Sequence, residues 1–130
     1  MPVGDGRDDM TISRLVLPLL GALALFGCVA KVGQVNPAPR VTDAKQAAHV
    51  TVYRDDSLVG AISTMSFFVD DKEVYGLRRG ERYSFEVDPG WHSLSYLIGL
   101  NECGQKFEFS ARGKYTFRLL PTCGIERTDH

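Results

Sequence analysis

Three cysteines, one tryptophan, a knot of three arginines and two adjacent aspartates are the residues of this 130-residue chain whose types and spacing invite chemistry. Cys103 and Cys123 each sit beside turn formers, in Asn101-Glu102-Cys103-Gly104 and Pro121-Thr122-Cys123-Gly124. In an oxidising compartment they suit a disulfide, and closing a loop of that length stabilises a fold by roughly 3 kcal/mol on the chain-entropy model. Two separate thiols are the other reading. Zinc is the weaker match, because neither cysteine has a second ligand close by in sequence. Asp70-Asp71 can offer oxygens to a cation, but turn aspartates usually bond their own backbone, and calcium takes six or more oxygens.

Arg78, Arg79 and Arg82 gather around Gly80. They suit either a solvated hairpin end or an anion site for phosphate or carboxylate groups. Trp91 follows Pro89-Gly90 and either folds over the edge of the domain or stands exposed, where its ring can stack on a sugar. His92, at the start of a strand, reads as a side chain that steadies the turn before it. His49 and His130 are too far away in sequence to join it. No Gly-x-Ser-x-Gly, His-Glu-x-x-His or phosphate-cradling glycine loop is present. Glu73 and Asp88 show no spacing that marks a carboxylate pair. The expectation is a protein that is not an enzyme, with no catalytic residue, cofactor or metal.

Cys28 stands apart from the other two cysteines. It closes Leu25-Phe26-Gly27-Cys28, after Arg14 and an apolar run from Leu15 to Phe26. A membrane-crossing helix needs ~20 apolar residues; this run is shorter and is interrupted by Pro18. A basic start, a short apolar middle and a small residue before the cut are signal-peptide marks, and the tetrapeptide resembles a bacterial lipobox. That resemblance implies a signal peptide over 1–27, lipidation of Cys28, and a mature protein tethered to a membrane outside the cytoplasm, facing the periplasm. In enteric bacteria an aspartate after the lipidated cysteine retains a lipoprotein at the inner membrane. Val29 stands there instead, which favours the outer membrane. Asp5, Asp8 and Asp9 are unusual in such a leader, and a start at Met10 removes them.

Without residues 1–27 the chain loses Arg7 and Arg14 together with Asp5, Asp8 and Asp9, so its formal net charge of −1 becomes zero. A neutral domain lacks the clustered Lys and Arg that mark nucleic-acid binding. It also lacks a polybasic segment for anionic lipid, so acyl chains must supply the membrane attachment. Residues 28–48 hold Pro37, Pro39 and several alanines but no aromatic, and read as a flexible tether.

From His49 the pattern becomes short alternating runs broken by turn residues. Runs at Val50–Tyr53, Leu58–Ile62, Met65–Val69, Glu73–Leu77, Tyr83–Val87, Leu94–Tyr96, Phe107–Phe109 and Tyr115–Leu119 predict seven to eight strands over 49–127. Asp70-Asp71-Lys72 suits a tight hairpin turn, and Asp88-Pro89-Gly90 a β-turn with glycine where φ is positive. The expected fold is all-β, a small antiparallel β-sandwich.

Val52-Tyr53-Arg54, Leu58-Val59-Gly60, Val69-Asp70-Asp71-Lys72, Leu77 with Gly80, and Pro89-Gly90-Trp91-His92 together resemble the domain of unknown function 2846 family. Its members are small bacterial β-domains similar in layout to PEGA-type sandwiches and often carried on lipoproteins. The likeness covers roughly Val50 to Leu119. It departs at Asp71-Lys72, where the family typically has glycine after the aspartate. It implies fold and location, and brings no reaction. Two functions stay open. One is a structural or interaction module that meets another envelope protein through a sheet edge or its hairpin ends. The other is a glycan- or peptidoglycan-binding module that uses Trp91.

Overall fold

Alternation builds this domain. In Ala48–Arg54 the side chains of Ala48, Val50, Val52 and Arg54 are buried while His49, Thr51 and Tyr53 face outward, the period-two pattern of a strand with one covered face. The computed structural model describes residues 31–57 and 63–129. These form β1 (Gly33–Gln34), β2 (Ala48–Arg54), β3 (Met65–Val69), β4 (Lys72–Leu77), β5 (Arg82–Val87), β6 (Gly90–Ile98), β7 (Asn101–Phe109), β8 (Lys114–Leu120) and β9 (Gly124–Arg127). There is no helix among the described residues. Residues 1–27, where a signal peptide is expected, Cys28, the apolar run Leu58–Ile62 and His130 lie outside them.

Two sheets form, ordered β1-β4-β3-β6-β7 and β5-β2-β8-β9. Their inner faces supply one core that includes Phe67, Leu94, Tyr96 and Phe109 from the first sheet and Val50, Val52, Phe85 and Phe117 from the second. The expected all-β sandwich is present, with one departure: β2 and β8 pair in parallel, Val50 beside Tyr115 and Val52 beside Phe117. The β6–β7 hairpin lies in the opposite sheet, so the chain re-enters at the end where β2 begins. A strand arriving from that end must run alongside β2 rather than against it.

The sandwich has two ends. At one lie the β3–β4 turn, the start of β6 and the start of β2. At the other lie the β4–β5 turn, the Gly99-Leu100 tip of the β6–β7 hairpin and the β8–β9 turn. This second end is closed twice. Cys103 on β7 is bonded to Cys123, with Cα atoms 5.2 Å apart. Tyr96, paired with Cys103 in the ladder, aims its single hydroxyl proton between the carbonyls of Leu120 at 2.5 Å and Gly124 at 2.9 Å. It also accepts from the Gly124 amide at 2.9 Å. Arg54 is buried nearby and donates to the carbonyls of Ser63 and Leu77. Burial lowers its pKa from the ordinary arginine value, with Asp55 acting in the opposite direction.

The tether expectation for 28–48 is corrected over most of its length. Gly33 and Gln34 pair with Gly76 and Tyr75. The Val35 amide donates to the Val74 carbonyl at 3.0 Å, Asn36 Nδ2 to the Glu73 carbonyl at 2.8 Å, and the Thr42 amide to Asp88 Oδ1 at 2.9 Å. Ala47 and Ala48 are fully buried. The segment is therefore a strap along the edge of β4, and the domain begins near Gly33 rather than at 49. Composition could not show this, because an open strand edge recruits backbone groups and asks little of side chains.

Candidate functional site

The outer face of the four-stranded sheet satisfies itself. Thr51 and Ser84 hydroxyls meet at 2.8 Å, His49 meets Glu86 at 3.3 Å, and Arg118 pairs with Glu126. Arg82 lies over the Tyr53 ring at 4.7 Å. The three arginines therefore do not converge. Arg82 stacks on its cross-strand neighbour, while Arg78 and Arg79 occupy the β4–β5 turn, which Glu81 closes by accepting the Arg78 amide at 2.7 Å. The recess beside Arg82, about 280 Å³, is lined by Asp55, Asp56 and Arg118 as well. Both signs of charge meet there, which suits an anion poorly.

Trp91 lies on the other sheet at the opposite end. It starts β6 and projects from the outer face, 66% exposed, paired with Glu108 of β7. Beside it is a recess of about 260 Å³ lined by Asp70, Asp71, Trp91, His92, Ser93 and Lys106. A second cavity, about 470 Å³, continues from Asp70 and His92 under the strap and is lined by Pro37, Pro39, Arg40 and Lys72.

The β3–β4 turn shapes this end. Asp70 and Asp71 both take left-handed backbone, φ 49° and 67°, as a two-residue hairpin turn of this hand requires. Asp70 has a structural reason to be there. Its Oδ1 accepts the Ser93 amide at 2.9 Å, and its Oδ2 meets His92 Nδ1 at 2.6 Å. His92 Nε2 meets the Asp88 carbonyl at 2.7 Å. The histidine thus clamps two turns together, as expected of it, and neither ring nitrogen is left to take a proton from a substrate.

Asp71 is different. It is exposed, and its carboxylate has no hydrogen-bond or ion-pair partner among the described residues, yet its backbone is of a kind that L side chains rarely adopt. The hairpin turn accounts for this backbone, since aspartate is among the residues that tolerate it, while the carboxylate itself is left facing solvent. Replacing Asp71 with glycine is expected to raise stability by about 0.5–1 kcal/mol, measured by denaturant unfolding. A loss of stability would mean that the carboxylate serves the fold after all.

Lys106 likewise has no partner among the described residues, and with Asp71 and Ser93 it is a neighbour of Trp91 that sequence reading missed. Only the β6–β7 register, which sets Ser93 against Lys106, brings these groups together. No group of three or more His, Cys, Asp or Glu side chains among the described residues is arranged to hold a metal. No family model matches the chain, and no curated protein shows significant similarity to it.

Proposed function

We propose that the protein is a lipid-anchored, non-catalytic interaction module of the bacterial envelope, with its contact surface at the Trp91 end of the sandwich. The observation that carries this reading is the exposed Trp91 ring flanked by Asp71 and Lys106, two opposite charges that make no partner within the described fold. Aromatic rings dominate binding surfaces because they desolvate a large area with little entropy cost. The lipobox-like sequence at Cys28 supports the anchor and the envelope location, and the likeness to the domain of unknown function 2846 family agrees with both. The partner on this reading is another envelope protein, met through the hairpin end at Asp70-Asp71 and the free edge of β7.

A glycan is the second reading, favoured by one feature. The recess beside Trp91 combines a ring face with carboxylate, hydroxyl and ammonium groups, the mixture that sugar hydroxyls engage. Trp91→Ala separates the two. Under the first, crosslinking in intact cells recovers one specific envelope protein, and the substitution weakens that contact by at least about 2 kcal/mol, roughly 30-fold in Kd. Under the second, retention on peptidoglycan is lost by the same substitution. If the variant changes neither, the Trp91 end is not the contact surface.

A further inference from the structure

Three large hydrophobic side chains are exposed among the described residues: Val32, Trp91 and Leu100. Trp91 belongs to the site just described. The other two share the opposite end of the sandwich, as the ladders show. Gly33 pairs with Gly76, Gly76 with Ser66, Ser66 with Leu97, and Leu97 with Glu102. One row thus crosses the whole five-stranded sheet. Val32 lies one residue beyond this row on β1's side, and Leu100 lies at the hairpin tip beyond Leu97 and Glu102. Leu100 is fully exposed, at 103%, where a polar residue would cost the hairpin nothing.

The same end receives the chain from Cys28. Lys31 is already seated, since its carbonyl lies against Gly76 so closely that an added Cβ would be 2.1 Å away. Only three residue steps separate Cys28 from Lys31, at most about 11 Å of extended chain. A lipid on the Cys28 sulfur therefore cannot hold the domain at a distance. It draws the Val32–Leu100 end against the headgroups.

We infer that this end of the sandwich, with Leu100 inserted at the β6–β7 tip and Val32 at the far edge of the same sheet, rests directly on the bilayer, which fixes the orientation of the domain. The inference rests on the proposed lipidation of Cys28. Lys31, Arg78 and Arg79 at this end are offset by Asp55, Asp56 and Glu102, so apolar insertion and the acyl chains, not net charge, supply the contact. Along β6, Trp91 stands nine residues from Leu100, roughly 30 Å at 3.3 Å per residue. Its recess is thereby turned away from the membrane, toward whatever occupies the periplasmic side.

The test uses the full chain, expressed in bacteria and reconstituted in phosphatidylethanolamine–phosphatidylglycerol vesicles with bromine-labelled acyl chains. Trp91 is the sole tryptophan, so it reports alone in the native protein. Leu100→Trp in a Trp91→Phe background reports from the hairpin tip, where full exposure leaves the fold indifferent to the exchange. The expected result is strong quenching and a blue shift for the tryptophan at position 100, with native Trp91 unquenched. Intact mass and vesicle flotation report the acyl chains independently. Acylated protein that floats but shows no quenching at position 100, or equal quenching at both positions, overturns the orientation and leaves the anchor standing. Protein with no acyl mass that fails to float overturns both.

Discussion

Replacing Cys103 and Cys123 together by serine is expected to lower stability by about 3 kcal/mol. The bond closes a loop with a sequence separation of 20, and it joins β7, an edge strand of the five-stranded sheet, to the β8–β9 turn of the other. The loss should remain partial, because the Tyr96 hydroxyl grips the same turn, donating toward the Leu120 and Gly124 carbonyls and accepting from the Gly124 amide. Tyr96→Phe leaves those groups without their partner and should cost about 1–3 kcal/mol. Since both clamps act on one turn, their effects should couple by about 0.5–3 kcal/mol in a double-mutant cycle. Burial raises the Tyr96 pKa above its ordinary value. The tyrosine contribution is therefore complete below the ordinary tyrosine range and is lost as pH rises through the raised value. Denaturant unfolding of oxidised and reduced protein measures the first effect. Superimposable curves would show that the bridge does not constrain the unfolded chain.

Those two clamps also mark how far the sequence could be read. Cys103 and Cys123 were legible as a pair from their residue type and the turn formers beside them, although Cys103 itself lies within β7. Tyr96 looked like one more core aromatic, because its hydroxyl partners come from a turn 24 to 28 residues away. The inward faces of β2, β3, β5 and β8 were legible for a related reason: an alternating pattern is local information. β1 and β9 were not, since two-residue and four-residue strands carry too few alternations to stand out. The parallel β2–β8 pairing was equally hidden, because pairing between strands distant in sequence leaves no periodic trace. At the candidate site, Trp91 could be singled out by type and by its place after a turn. Asp71 and Lys106 could not be joined to it, since their meeting depends on a hairpin turn and on cross-strand register.

Gly76→Ala is expected to convert the strap back into a tether. The added methyl would lie 2.1 Å from the Lys31 carbonyl oxygen and 3.2 Å from Thr64 Cγ2. The nearer obstacle is backbone, so no rotamer change relieves it, and β1 must lift from β4. The bonds from Val35 to Val74 and from Asn36 and Gln34 to β4 carbonyls would go with it. At about 0.5–1.5 kcal/mol each, the loss of these three amounts to about 1.5–4.5 kcal/mol. Hydrogen exchange should show the Val35 amide losing protection while amides of the β2–β8 ladder keep theirs. Unchanged protection at Val35 would show that β1 can bind without the close approach. Release also uncovers the β4 edge, a template for pairing with a second copy, so self-association by analytical ultracentrifugation should rise with concentration. On the proposed lipidation of Cys28 the substitution has a further consequence. With β1 free, the first attachment after Cys28 becomes Thr42 at Asp88, and the slack grows from about 11 Å to roughly 50 Å of extended chain. Under that proposal a domain freed to that extent is no longer held at the bilayer by its anchor, and the seating of Leu100 depends on its own insertion alone.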